Sequence, residues 1–211
     1  MDRATNMSPR TLVIACGALA REIAALTRAN GWTALEVRCL PAELHNRPER
    51  IAPAVRETIA ANRGQYAQMF VAYADCGTRG ELDQVLREEG IERLPGAHCY
   101  EFFATARVFA QLADAEPGTF YLTDFLLRHF ERLVVRPLGL DRHPELVQQY
   151  FRNYRKLVYL SQAPRADAIE QAGLIAERFG FQFEHRFTGY GELGTRLAAL
   201  VESQDTLAWP A

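Results

Sequence analysis

The sequence predicts an α/β protein built on mostly parallel, Rossmann-like sheets with flanking helices. Short apolar runs, typical of strands buried on both faces, alternate with amphipathic helices. Three strand–helix–strand crossovers follow one another in the first half, which favours a right-handed parallel arrangement. The chain has 211 residues, of which 48% are hydrophobic and 24% charged. That composition is ordinary for a globular protein with a sizeable core.

The first half supplies four strands and three helices. Asn30-Gly31 and Gly90 are the expected stops of the first and third helices. The predicted strands are Leu12–Ala15, Ala34–Arg38, Met69–Ala74 and Ile91–Leu94, and the predicted helices are Ala18–Ala29, 49–62 and Glu81–Glu89.

The middle of the chain is predicted to be wholly helical. An apolar stripe runs from Tyr100 to Ala113, Thr123-Asp124 caps a second helix that stops before Pro137, and Asp141 caps a third. The elements that follow this block are a strand at Leu157–Leu160, a helix at Ala166–Phe179, a strand at Phe181–Phe187 and a last helix at Glu192–Val201.

These elements predict two α/β parts joined by a helical block within one globular unit. Residues 11–113 form the N-terminal α/β part, and residues 114–202 form the helical block with the C-terminal α/β part. Residues 1–10 and 203–211 show no periodicity and are predicted to be loose tails.

Charge and hydropathy exclude several classes of partner. A formal net charge of −2 argues against a general nucleic-acid or anionic-membrane surface. No apolar run approaches the roughly 20 residues of a membrane span. The first ten residues are polar, which is not typical of a signal peptide. We therefore expect the four cysteines to lie in a reducing cytoplasm, where structural disulfides are rare.

Each predicted strand of the first half is followed by a cysteine: Cys16, Cys39, Cys76 and Cys99. Because carboxyl ends of parallel strands share one edge, we predict that Cys16, Cys76 and Cys99 form a metal site there. Three thiolates can hold zinc with one open position, or three irons of an iron–sulfur cluster with one iron free. Cys39 is followed directly by Leu40-Pro41, which favours a packing role. The competing interpretation is that all four are simply small buried apolar groups.

Polar residues beside the cysteines are candidates for catalysis and binding. His98 is predicted to act as acid–base or to orient Cys99, with Glu101 and Asp75 as further catalytic candidates. His45 and Asn46, in the loop after the second strand, are predicted to face a substrate. Each also has a plain structural explanation. These are hydrogen bonding within the loop for His98, solvation for His45 and Asn46, the helix dipole for Glu101, and turn chemistry for Asp75.

A metal-free function is the alternative. Cys99, activated by His98 and a helix N-terminus, would then be a nucleophile, or the sheet edge would bind a small organic ligand. The glycine-rich run Gly189–Gly194 matches a dinucleotide-binding pattern. It lies in the last crossover with no acidic residue about 20 positions on, so we interpret it as a tight turn.

Five segments carry a resemblance to a known family, and the resemblance extends from Leu12 to about Leu200. They are Val13–Glu22, Leu44–Pro48, Tyr73–Gly77, Leu94–Phe103 and Tyr121–Phe125. Together they resemble the bacterial and archaeal family called domain of unknown function 1638. The resemblance implies a context and no reaction: members are similar to proteins encoded beside corrinoid-dependent methyltransferases of methylated amines and their reactivation proteins. It implies corrinoid methyltransferase components, or a small-molecule substrate, as partners.

Overall fold

The computed structural model describes residues 11–207, which fall into two compact units. The first comprises residues up to His98 together with the chain from Glu192 onward, and the second comprises Cys99–Gly191. The predicted boundary at residues 113/114 therefore moves to 98/99. The reason is packing: the helices from Cys99 to Ala115 bury apolar side chains against strand residues Val158 and Leu160 of the second unit.

The first unit carries a four-stranded parallel sheet in the order β2-β1-β3-β4. Its elements are β1 Thr11–Cys16, α1 Ala20–Asn30, β2 Leu35–Leu40, α2 Ile51–Asn62, β3 Gln68–Ala72, α3 Glu81–Glu89, β4 Glu92–Arg93 and α9 Gly191–Leu207. All of α9 except its first residue belongs to this unit.

Strand β1 is central and apolar, and its residues Leu12 to Ala15 are fully buried. Alternate side chains of β1 and β3, including Ile14 and Val71, pack with α2 and α3 in one core cluster. The stops predicted at Gly31 and Gly90 are confirmed, because both residues adopt left-handed conformations directly after α1 and α3.

The second unit carries a three-stranded parallel sheet in the order β5-β6-β7. Alternate residues of β6 face opposite sides: Leu157 and Tyr159 enter the larger core cluster, and Val158 and Leu160 enter the smaller one. Its elements are α4 Cys99–Ala104, α5 Ala106–Ala115, β5 Thr119–Thr123, α6 Asp124–Arg128, α7 Leu146–Phe151, β6 Lys156–Ser161, α8 Ala166–Phe179 and β7 Gln182–Phe187. The predicted α/β class with parallel, helix-flanked sheets is confirmed.

Strand β5 corrects the prediction of a wholly helical middle. Its sequence is Thr-Phe-Tyr-Leu-Thr, rich in β-branched and aromatic residues, and it pairs along its whole length with β6. Five residues between two helices are too few to show a clear alternation of apolar and polar side chains. The conformation of this segment is therefore decided by its pairing with β6.

The helices of the middle also differ in detail from the prediction. The stripe from Tyr100 is interrupted at Thr105, whose φ of 70° is left-handed and separates α4 from α5. The cap at Thr123 is confirmed, since its hydroxyl accepts a hydrogen bond from Leu126 N–H at 3.3 Å. Asp141 caps no helix, because α7 begins only at Leu146.

The predicted tails lie largely beyond the described residues, which exclude 1–10 and 208–211. Helix α9 extends through residues 203–207, the first five positions of the predicted C-terminal tail. No helix in the described part of the chain has the length and hydrophobicity needed to cross a bilayer.

Gly118 offers a test of the close packing in the second unit. A Cβ at this position would lie less than 3.0 Å from the carbonyl oxygen of Asn153, so Gly118→Ala is expected to lower the free energy of unfolding by about 1–3 kcal/mol. The matched control is Gly173→Ala in α8, where no atom comes nearer than 3.9 Å. That substitution is expected to stabilise the protein by about 0.5–1 kcal/mol. Urea unfolding followed by circular dichroism measures both, and equal effects would contradict the packing described here.

Candidate functional site

The register of β1 and β3 brings Cys16 beside Tyr73. Ala15 pairs with Ala72 across these parallel strands, so the next residue of each chain lies at the same level of the sheet edge. Both side chains belong to the core cluster formed with α2 and α3, Tyr73 as a buried member and Cys16 as a partly buried one. Cys76 packs against the same cluster.

Cys76 is held in place through its backbone. Its φ of 51° is left-handed, which is unusual for a residue other than glycine and is found most often at turns and functional sites. Its N–H donates to the carbonyl of Ala97 at 2.8 Å, and Asp75 N–H donates to that of Gly96 at 3.0 Å. The segment that precedes His98 is therefore hydrogen-bonded alongside the turn that presents Cys76.

The Asp75 carboxylate is occupied by that same turn. It accepts hydrogen bonds from the Thr78 hydroxyl at 2.7 Å and from the backbone N–H groups of Gly77, Arg79 and Gly80 at 3.2, 3.2 and 3.0 Å. Although partial burial opposes ionisation, these donors lower the pKa of Asp75. Of the two roles weighed for Asp75, these contacts favour the structural one.

The sulfur atoms of Cys16 and Cys76 are desolvated. Burial raises the pKa of Cys16, against the opposing effect of the Ala18 backbone. Burial and the neighbouring Cys16 raise the pKa of Cys76 to about 12, while the positive charge of Arg93 works in the other direction. Without a cation, both groups are therefore neutral thiols at physiological pH.

The Tyr73 hydroxyl faces the Cys16 thiol, a weak hydrogen-bonding group, and finds no stronger partner among the described residues. It is buried, and within the described residues it has no hydrogen-bond partner of good geometry. Burial, followed by the neighbouring Cys16, Cys76 and Cys39, raises the pKa of Tyr73. An unpaired buried hydroxyl costs on the order of 1–3 kcal/mol, so its position beside two thiols requires an explanation.

Cys39 lies on β2 opposite Ala15 of β1, one register position before Cys16. It interacts electrostatically with Cys16, but its own side chain is exposed rather than packed in the core. This exposure does not match the packing role that the sequence favours for Cys39.

The loop after β2 crosses the edge of the sheet and carries His45 and Asn46. A Cβ on Gly17 would lie 2.8 Å from the Leu40 carbonyl, and one on Gly77 would lie 3.3 Å from Pro48, so both ends of the loop approach the cysteine turns. His45 is exposed at the surface of this loop. Partial desolvation and the proximity of His98 still lower its pKa, which favours the neutral imidazole.

Cys99 and Glu101 open α4 and belong to the second unit, whereas Cys16, Cys76, His45 and His98 belong to the first. No group of three or more His, Cys, Asp or Glu side chains arranged to hold a metal occurs among the residues that the structure describes. In the first unit, the structure thus brings together two of the three predicted sulfur ligands.

Two residues of this site were not predicted. Arg93 donates to both carboxylate oxygens of Asp83, at 2.6 and 3.0 Å, and places a positive charge near Cys76. Tyr73 was assigned only to a strand. A tyrosine directly after a run of buried apolar positions, in line with Cys16 of the neighbouring strand, is the signal that identifies it.

A family model described as "Protein of unknown function (DUF1638)" matches residues 39–197, which is most of the chain. The chain belongs to the DUF1638 family. No curated protein and no solved structure matches it. The family assignment agrees with the resemblance of the five segments and brings no reaction with it.

The burial of the two thiols in this DUF1638 chain predicts their reactivity. After treatment with a chelator, iodoacetamide at pH 8 should modify Cys16 and Cys76 at least about ten-fold more slowly than the exposed Cys39, because the thiolate is the reactive form. Mass spectrometry of peptides over a time course measures each rate. Equal rates at the three positions would show that Cys16 and Cys76 are not desolvated.

The Asp75 turn predicts a dependence of stability on pH. Because folding lowers the pKa of Asp75, its contribution is complete above the unfolded value of about 3.9 and is lost as the pH falls further. Asp75→Ala should lower the free energy of unfolding at pH 7 by about 1–3 kcal/mol. The difference from the parent should shrink below about pH 4. Glu57→Ala, at an exposed position of α2, is the control, and a deficit that does not change with pH would contradict this role of the carboxylate.

Proposed function

We propose that this protein binds a thiophilic metal, zinc or the iron of an iron–sulfur cluster, and acts in corrinoid-linked one-carbon or methyl-transfer metabolism. The single observation that carries the proposal is the position of the unsatisfied Tyr73 hydroxyl beside Cys16 and Cys76 at the carboxyl edge of the first unit's sheet. Ligands of parallel α/β sheets bind at this edge.

The donor set is compatible with a soft metal. Thiolates bind zinc and iron–sulfur clusters, and a coordinated thiol is deprotonated outright, which would reverse the raised pKa values of Cys16 and Cys76. The Tyr73 hydroxyl would then have a thiolate to donate to. Arg93 supports the same charge state, since its positive charge partly opposes the rise in the pKa of Cys76.

Two sulfurs are fewer than the three or four protein ligands that zinc ordinarily takes. We propose His45 as a further donor, because its loop approaches both cysteine turns and its lowered pKa favours the neutral imidazole. Since the described residues hold no ready-made set of three ligands, this loop would have to move towards the two sulfurs. The assignment of Cys99 as the third ligand stays a prediction.

The chemistry would follow from the metal that is bound. Zinc supplies Lewis acidity or a metal-held thiolate, and a cluster supplies electron transfer or a free iron for substrate. The residues of this chain would hold the metal and orient its ligands. Cys16 and Cys76 would bind it, Tyr73 would donate a hydrogen bond to a thiolate, and the Asp75 turn would support Cys76.

The metabolic setting comes from the family resemblance. Members are similar to proteins encoded beside corrinoid-dependent methyltransferases, so we propose a component of such a methyltransferase, or its small-molecule substrate, as the partner. We propose a reducing cytoplasm as the location, where cysteines persist as free thiols.

In the metal-free alternative, the nucleophile is Cys99 and not a cysteine of the first unit. A nucleophilic cysteine needs a lowered pKa, whereas burial raises the pKa of both Cys16 and Cys76. Cys99 directly follows His98 and opens α4, which is the arrangement that this alternative requires.

Elemental analysis of anaerobically purified protein tests the proposal. We expect about one zinc, or about three to four irons with visible absorption, per chain. Cys16→Ala and Cys76→Ala should each reduce the metal content severely, and the exposed Cys39→Ala is the matched control that should retain it. His45→Ala and Cys99→Ala then show which of the two residues completes the ligand set.

Less than stoichiometric metal in the parent, in cells supplied with zinc and iron, would contradict the proposal. Undiminished metal in both Cys16→Ala and Cys76→Ala would contradict it equally. A single rapidly alkylated thiol at Cys99 in metal-free protein would support the alternative.

A further inference from the structure

Strand β7 forms one edge of the second unit's sheet. Among the described residues its strand neighbour is β6 alone, so the outer side of β7 has no strand partner there. Four of its six residues are exposed, whereas the other edge strand of this sheet, β5, has no exposed residue. An exposed edge strand presents a row of backbone groups with which another chain can pair.

The backbone groups of β7 alternate between its two sides. Gln182 N–H donates to the carbonyl of Arg155, directly before β6, at 2.9 Å. Thr188 N–H donates to the carbonyl of Ser161, the last residue of β6, at 3.0 Å. Residues at even numbers in β7 therefore face β6, and the residues between them face away. The backbone groups that point to the outer edge are those of Phe183, His185 and Phe187.

One face of β7 carries exposed aromatic side chains. Phe183 and Phe187 are 38% and 60% exposed, which is high for phenylalanine. Phe183 lies opposite Leu157 of β6, which enters the larger core cluster, and residues four apart on a strand share a face. Both phenylalanines therefore belong to the face that α8 packs against, beyond the part of it that is buried.

The opposite face of β7 carries one acidic and one basic residue. Glu184 forms ion pairs with Lys156 of β6 and with Arg186, two positions further along β7. Glu184 and Arg186 lie on either side of His185, which makes the strand complementary in charge to an antiparallel copy of itself. In such a pair centred on His185, each Glu184 lies opposite the partner's Arg186.

The same register also matches the backbone. In an antiparallel pair, residues whose backbone groups point outward must lie opposite each other to exchange hydrogen bonds. Centring on His185 sets Phe183 opposite the partner's Phe187 and His185 opposite its own copy. Three residue pairs then exchange about six hydrogen bonds. Centring on Glu184 or on Arg186 also aligns outward groups, but it sets two like charges opposite each other, which is destabilising.

We propose that β7 pairs antiparallel with β7 of a second copy of this chain, about a two-fold axis at His185. The contact joins two three-stranded sheets into one continuous sheet. Phenylalanine pairs on one face and Glu184–Arg186 pairs on the other add to the backbone bonds. The interface is small, and small interfaces are weak, so dimers form in the micromolar range of concentration. This inference is independent of the thiol site, because every residue that carries it lies in Cys99–Gly191.

Sedimentation velocity of the full chain, at concentrations from about 1 to 200 μM, measures this equilibrium. The parent should shift from monomer to dimer across that range. Arg186→Glu sets a second carboxylate opposite Glu184 and should weaken dimerisation by at least about ten-fold. Arg142→Glu makes the same change of charge at an exposed position outside β7, so it is the matched control that should dimerise like the parent.

A mixture of two variants tests the charge complementarity. Glu184→Arg alone should dimerise as weakly as Arg186→Glu, whereas an equimolar mixture of the two should form dimers again, because each then meets the opposite charge. Circular dichroism confirms that each variant is folded. A parent that stays monomeric over the whole range overturns the proposal, and so does Arg186→Glu that dimerises like the control.

Amide exchange followed by nuclear magnetic resonance locates the contact without any substitution. The N–H groups of Phe183, His185 and Phe187 should exchange slowly in concentrated protein and rapidly in dilute protein. Those of Glu184 and Arg186, which face β6, should exchange slowly in both. Exchange at Phe183, His185 and Phe187 that does not depend on protein concentration contradicts the proposal.

Discussion

Parallel register between β1 and β3 is the constraint on which the candidate site depends. Because Ala15 lies opposite Ala72, the residues that follow them, Cys16 and Tyr73, reach the carboxyl edge together on the same face. The Asp75 turn then returns the chain so that Cys76 joins them. A shift of one residue in this pairing would send one of the two side chains to the opposite face of the sheet and separate them.

The second unit shows what a satisfied polar cluster looks like at the same kind of edge. There the buried Tyr159 hydroxyl donates to Asp124 at 2.6 Å, and the Asp124 carboxylate also accepts from the backbone N–H groups of Gln162 and Ala163. Every member has a partner inside the fold, so this network needs no ligand to explain it. Tyr73 has only the weakly accepting Cys16 thiol beside it among the described residues, which is why the first unit's edge is the stronger candidate for a binding site.

The sequence predicted the class of fold, most of the strands, and the gathering of Cys16 and Cys76, because each of these follows from local patterns and from the direction of parallel strands. Strand β5 escaped prediction since five residues between two helices carry too little periodicity, and only pairing with β6 reveals them. The place of Cys99 in another compact unit also escaped, because unit boundaries depend on which sheet α4 and α5 pack against. Tyr73 was overlooked for a related reason: an unsatisfied hydroxyl is a property of three-dimensional surroundings.

The most direct test of the central claim is the effect of Tyr73→Phe on stability with and without metal. In chelator-treated protein, removal of an unpaired buried hydroxyl should leave the free energy of unfolding unchanged or raise it by up to about 1 kcal/mol. In protein loaded with zinc or iron, the same substitution should be destabilising, because the hydroxyl then has a thiolate to donate to. An identical effect of Tyr73→Phe in both states would mean that no metal lies beside this hydroxyl.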